Sequence, residues 1–173
     1  APVATLTTAA WEASLRVNLS APMWLCRAAI PAMLDAGHGA IVNISSRQAE
    51  RASRGFTAYI ASKSGLNGLT RAIAVDYADA NIRANTISPG YIVNSRRDAG
   101  MTEERRARLE AMHLTRLATP EDVLREAVYV LANPVAAGLV RFGHLWPGPW
   151  SAPERVGGEP FRTKRPRPFF SED

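Results

Sequence analysis

Tyr59 and Lys63 stand four residues apart in the run Tyr59-Ile60-Ala61-Ser62-Lys63. On a helix that spacing places them on one face, one turn from each other. A free tyrosine has a pKa of about 10 and is a poor base at neutral pH. A lysine cation a few ångströms away favours the phenolate, and such a pair can exchange a proton with an alcohol or carbonyl oxygen. The spacing alone recurs by chance and also describes an ordinary surface pair. Ser46, thirteen residues before Tyr59, adds to it. It falls just past the C-terminal end of a predicted parallel strand, where open α/β sheets bind their ligands. A hydroxyl there can donate to the oxyanion that develops on a reacting carbonyl. The plainer alternative is that Ser45 and Ser46 merely end the strand.

The elements that would position these groups follow from periodicity. Thr8 is a candidate cap for a helix that carries Leu15, Leu19, Met23, Cys26, Ile30 and Met33 at helical spacing. Pro22 should bend that helix or loosen one turn, and Gly37-His38-Gly39 should end it. Ala40 to Ile44 reads as a buried parallel strand. A polar loop, Ser45 to Gly55, leads to a long helix from about Thr57 to Ala80, closed by Asn81. Ile82 to Ser88 reads as a second strand, and Pro89-Gly90 as a sharp turn. A charged helix over 102–113 follows. Thr119-Pro120-Glu121-Asp122 then starts a helix running to about Asn133. Strands alternating with helices imply parallel β-α-β units and a sheet covered on both faces.

Three runs together resemble the short-chain dehydrogenase/reductase family. They are Gly39-Ala40-Ile41-Val42-Asn43-Ile44-Ser45-Ser46, then Tyr59 to Leu66, then Asn85-Thr86-Ile87-Ser88-Pro89-Gly90-Tyr91-Ile92. Val17-Asn18-Leu19-Ser20 is similar to the family's Asn-bearing helix segment, and the separations of Asn18, Ser46, Tyr59 and Lys63 match its pattern. The resemblance covers roughly residues 5 to 133. It implies a Rossmann-type, three-layer α/β fold with a doubly wound parallel sheet, and NAD or NADP as cofactor. It implies that Tyr59 is the acid/base, that Lys63 lowers its pKa and meets the nicotinamide ribose, and that Ser46 polarises the carbonyl. Asn18 would hold, through its backbone, a water in the proton relay to Lys63. Pro89, Gly90 and Ile92 would line the nicotinamide side, and Asn94 stands where the family usually has a Thr near the cofactor. A homodimer or homotetramer is implied as well, and the small residues Ala58, Ala61, Ser62, Gly65 and Gly68 would permit close helix packing.

The family's Gly-x-x-x-Gly-x-Gly phosphate loop does not occur among the 173 residues, nor does the Asn-Asn-Ala-Gly segment expected just before residue 1. With Ala rather than Met at position 1, the expectation is that the N-terminal, cofactor-binding half of the fold is missing from this chain. The choice between NAD and NADP is read by residues of that half. Residues 1–133 then form the catalytic half, and 134–173 an atypical tail, where seven of the twelve prolines fall. Gly143-His144-Leu145-Trp146-Pro147 partly resembles the family's closing strand, but Gly148-Pro149-Trp150 replaces the usual Asp-Gly-Gly turn.

Composition narrows the alternatives. The 46% apolar content can furnish a sizeable core. No run of about 18 apolar residues suggests a membrane span. A single cysteine, Cys26, cannot form an internal disulfide, which fits a reducing compartment such as the cytoplasm. His38, His113 and His144 are scattered and suggest no metal site, and no Gly-x-Ser-x-Gly elbow is present. The net charge of +5 comes mainly from arginines at 47–54, 96–108 and 162–167. These are solvated surface or an attraction for anions, including an anionic substrate near the loop residues Arg47, Gln48, Arg51 and Arg54, with Arg96 and Arg97. Two competitors stand beside the oxidoreductase: a catalytically inactive, truncated piece serving at most as an interaction module, and a basic module touching nucleic acid through Arg162 to Arg167. No aromatic interleaving supports the latter.

Overall fold

The structure, a computed structural model of the chain, describes residues 1–113, 116–133 and 140–142, the last three by their backbone. Helix α1 (Thr8–Leu15) passes through a π-helical turn (Arg16–Ser20) into α2 (Ala21–Ala36). Strand β1 (Gly39–Ile44), helix α3 (Thr57–Asp76) and strand β2 (Ile82–Ser88) follow. Then come α4 (Ser95–Asp98), α5 (Glu103–Ala111), α6 (Pro120–Ala132) and β3 (Val140–Phe142). All strand pairs are parallel, in the order β1-β2-β3.

Local chemistry explains the boundaries. Thr7, not Thr8, caps α1: its side chain accepts from the Ala10 backbone N–H at 3.2 Å. Two adjacent threonines leave the sequence a one-residue ambiguity, and backbone geometry settles it in favour of the extended residue (Thr7 φ −74°, ψ 150°). The loosened turn expected near Pro22 is the π-turn at Arg16–Ser20, immediately before it. Gly37 closes α2 at φ +72°, a conformation glycine adopts without steric cost. The long helix ends at Asp76, four residues short of the expected Ala80; a 3-10 turn over Ala78–Ala80 and Asn81 at φ +58° complete the descent into β2. The strand motif expected at 143–147 lies outside the described residues, as does the 162–167 arginine cluster.

The sheet is covered on both faces. Ile82 and Ala84 join Cys26 and Ile30 of α2 and Ile73 and Ala74 of α3 in one buried cluster. Alternation turns Arg83 and Ile87 the other way. There Arg83 donates to the carbonyls of Val130 and Leu131 at the end of α6. Cys26 is buried in the first cluster, and burial pushes its thiol up, away from nucleophilic use. The small face of α3 is largely spent inside the chain. Ala58 and Ser62 are buried, and a Cβ on Gly65 would come within 2.9 Å of the Leu19 side chain; Gly68 opens to space. Within the chain, the Gly65 end of this stripe packs against Leu19 of the π-turn.

Candidate active site

The sheet's C-terminal edge gathers the candidates. The Ser45 backbone N–H donates to the Ile87 carbonyl at 2.7 Å and the Arg47 N–H to the Pro89 carbonyl at 3.0 Å. The loops that leave β1 and β2 are thereby stitched side by side, Ser46 on one and Pro89-Gly90 on the other. This is where chain direction in a parallel sheet delivers loop residues for ligand binding.

Helix α3 brings Tyr59 and Lys63 to that edge. Tyr59 lies in the first turn, half-buried, with Phe56 edge-on to its ring at 6.3 Å between centroids. The Lys63 ammonium lies 6.0 Å from the centre of the Tyr59 ring. It donates to the carbonyl of Ile44, the last residue of β1, at 2.8 Å. Ser45 answers by donating its hydroxyl to the Lys63 carbonyl at 3.2 Å. This reciprocal clamp fixes the helix face against the strand end. Partial burial pushes the Lys63 ammonium below the ordinary lysine range, because desolvation disfavours the charged form.

Ser46 is buried, and its hydroxyl oxygen accepts from the Gln48 backbone N–H at 3.2 Å. An accepting hydroxyl keeps its own proton to donate, so Ser46 can both shape the loop and polarise a carbonyl. Asn18 sits on the π-turn, which packs against α3. Its side chain donates to Ser14 at 3.5 Å, within its own helix, and not to Lys63. Its carbonyl is the informative group. Pro22, four residues on, has no N–H, so that carbonyl receives no α-helical hydrogen bond from it. Single π-turns inside helices occur frequently at functional sites.

Pro89, Gly90 and Ile92 line one small pocket, closed on the far side by Ala118 and Val123. Ile92 forms a parallel bridge with Ala118, and Val93 donates to the Ala118 carbonyl at 2.8 Å. The Asn94 backbone N–H donates to Asp98 at 2.7 Å, and the Tyr91 hydroxyl donates to the other oxygen of the same carboxylate at 2.6 Å. The structure therefore places Asn94 through its backbone, with its side chain exposed. Asp98 was not singled out from the sequence. An Asn94-x-x-x-Asp98 spacing at a helix start was the available signal. Ser45 and the Ile44 carbonyl were missed too, since a backbone acceptor leaves no trace in residue type.

Among the described residues no three His, Cys, Asp or Glu side chains converge as metal ligands, and no helix is long and apolar enough to cross a membrane. The residues fit the nicotinamide end of a dinucleotide: Lys63 has further donors beyond the one given to Ile44, and the Pro89-Gly90 turn is held beside the Ser46 loop by the Arg47 N–H.

Comparison with known proteins bears on the family and the fold. The family model described as enoyl-(acyl carrier protein) reductase matches residues 1–140. Cyclohexanol dehydrogenase of Acinetobacter sp. (strain SE19) is 35% identical over 129 residues, 74% of this chain and 50% of that protein. Carbonyl reductase family member 4 of Danio rerio is 37% identical over 126 residues, 73% of this chain and 52% of that protein. A crystal structure of 7α-hydroxysteroid dehydrogenase complexed with NADH and 7-oxo glycochenodeoxycholic acid superposes with a TM-score of 0.76 at 26% identity, covering 83% of this chain and 57% of that one. The chain spans about half the length of the curated relatives it matches. By motif, fold and these matches, the chain belongs to the short-chain dehydrogenase/reductase family.

Proposed function

We propose that the complete protein transfers a hydride between NAD or NADP and a carbonyl or alcohol substrate. The observation that carries this reading is the clamp: Lys63 is held on the Ile44 carbonyl, beside Tyr59, at the strand end that bears Ser46. When bound, the nicotinamide supplies the hydride; the chain supplies placement and the proton. Tyr59 exchanges that proton with the substrate oxygen. Lys63 would spend its remaining donors on the nicotinamide ribose, and Ser46 would orient the carbonyl. Pro89, Gly90 and Ile92 would flank the nicotinamide, with Asn94 nearby, and the Asn18 carbonyl would hold a water leading to Lys63. Tyr59→Phe should keep cofactor binding and lose more than about nine-tenths of kcat, the equivalent of about 1.4 kcal/mol. Turnover above that level would defeat the assignment.

Two further parts of the reading concern the whole molecule. It acts as a homodimer or homotetramer in a reducing compartment such as the cytoplasm. Val17, Leu25 and Val75 are exposed and apolar on the outer helices, and light scattering at micromolar concentration checks the oligomer. Residues 1–173 by themselves should be nearly silent. They carry no glycine-rich turn to grip a pyrophosphate at a helix N-terminus, and the outer edge of β1 has no partner strand among the described residues. Steady NADH- or NADPH-dependent turnover by that purified segment would overturn this.

A further inference from the structure

The loop that follows Ser46 is held more firmly than a solvated loop requires, and it presents one sign of charge. Its first turn is pinned on every side. Gln48 donates to Ser46, Ser64 of α3 donates to the Ala49 carbonyl at 2.9 Å, and Arg47 donates through its backbone to Pro89. Asn67 of α3, almost fully buried, donates to the Glu50 carboxylate at 3.2 Å. That last bond draws the loop's one acid back against the helix. The Arg51 N–H donates to the Arg47 carbonyl at 2.9 Å, which draws the two arginines into one turn. Neither arginine has an ion-pair partner among the described residues. Arg47 is half-buried, one residue from Ser46 and hydrogen-bonded to the Pro89 turn.

We infer that Arg47 and Arg51 select a substrate whose reacting carbonyl or alcohol is accompanied by an anionic group, a carboxylate or a phosphate. This rests on the hydride-transfer reading above and names the substrate class for it. A guanidinium suits either anion, since its forked donors match both. The carboxylate and the phosphate are separated by experiment.

The complete enzyme would be assayed with NADH and NADPH on three matched aldehydes: 4-carboxybenzaldehyde, 4-formylphenyl phosphate and the neutral 4-methylbenzaldehyde. One anionic aldehyde should exceed the neutral one in kcat/KM by about tenfold at low ionic strength, a margin that shrinks with added salt. The larger ratio identifies the anion. Arg47→Met with Arg51→Met should bring the ratio toward one, while Arg47→Lys with Arg51→Lys should keep part of it. A ratio near one in the unaltered enzyme, or a ratio unmoved by the methionine pair, overturns the inference. If no aldehyde is turned over, the hydride-transfer reading fails, and saturation-transfer NMR of the same probes then judges the arginines. Arginine-dependent preference for an anion upholds their role, and equal binding refutes it.

Discussion

On one side of the candidate site Tyr59, Lys63 and Ser46 are placed by a helix and a strand end. On the other, Pro89 to Asn94 are placed by loop bonds to Arg47, Ala118 and the Asp98 carboxylate. The first wall is backbone geometry. A regular helix fixes Tyr59 and Lys63, Lys63 reaches the Ile44 carbonyl, and Ser45 returns the bond. The second wall is a loop tied at one end by Asp98, which receives Tyr91 and Asn94. At its other side it leans on Ala118, just before the start of α6. That start is fastened by Asp122, which accepts from both guanidinium nitrogens of Arg116 at 2.6 and 2.7 Å and from the Thr119 backbone N–H at 2.8 Å. Proton-transfer groups need a fixed spacing, and a helix gives one. The second wall is irregular loop, and its anchors include side-chain carboxylates that can titrate. The contrast implies that the two walls fail differently.

The helix wall should fail all at once. Leu66 is one turn beyond Lys63 and almost wholly buried. Leu66→Ala would leave a cavity under the face that carries the site, at a cost of about 2–5 kcal/mol. Denaturant unfolding of the complete protein checks this, and turnover per folded molecule should fall with it. A loss below about 1 kcal/mol would mean that this wall is less tightly determined than its packing says.

The carboxylate wall should titrate. Arg116, and then the Thr119 backbone N–H, hold the Asp122 carboxyl well below the usual carboxylate range. Its folded pKa lies below its unfolded value, so its contribution to stability is fully present above the unfolded value of about 3.9 and is lost as pH falls further. Asp122→Asn should therefore be less stable than the unaltered protein at pH 7, and the gap should close on acidification below about pH 4. Thermal unfolding across pH 2.5 to 7 reads the gap directly. A constant gap down to the lowest pH would assign the effect to packing.

How much of this was legible in the residues depends on what carried each wall. Tyr59, Lys63 and the ends of β1 and β2 were readable because periodic elements convert spacing into geometry. Thr119-Pro120-Glu121-Asp122 announced a helix start with the threonine as its cap, and Thr119 is the cap; the reciprocal bond from the Thr119 N–H to Asp122 completes a capping box. The Arg116 partnership spans six residues across a cap, where no period applies. Asp98 left a fainter signal, its spacing of four from Asn94 at a helix start. The π-turn was half legible: Pro22 predicted a disturbance, but the consequence for the Asn18 carbonyl emerges only when residues are counted back by four.

The finest test of the contrast is Tyr91→Phe. The phenol donates to one oxygen of Asp98 while the Asn94 backbone N–H donates to the other. Removing the hydroxyl keeps the ring and deletes one hydrogen bond to an ionised acceptor. Such bonds contribute about 1.5–3 kcal/mol when charge-assisted, and the partly buried setting here favours the lower end. Because Asp98 still holds Asn94, the loop should loosen without unfolding. The effect should appear as a rise of a few-fold in the KM for NADH or NADPH, with kcat nearly unchanged, since the Tyr59 wall is untouched. Faster amide exchange at Asn94 would accompany it. A fall in kcat with KM constant would contradict the division. It would show that the loop positions the reacting groups themselves, and that the two walls act as one unit.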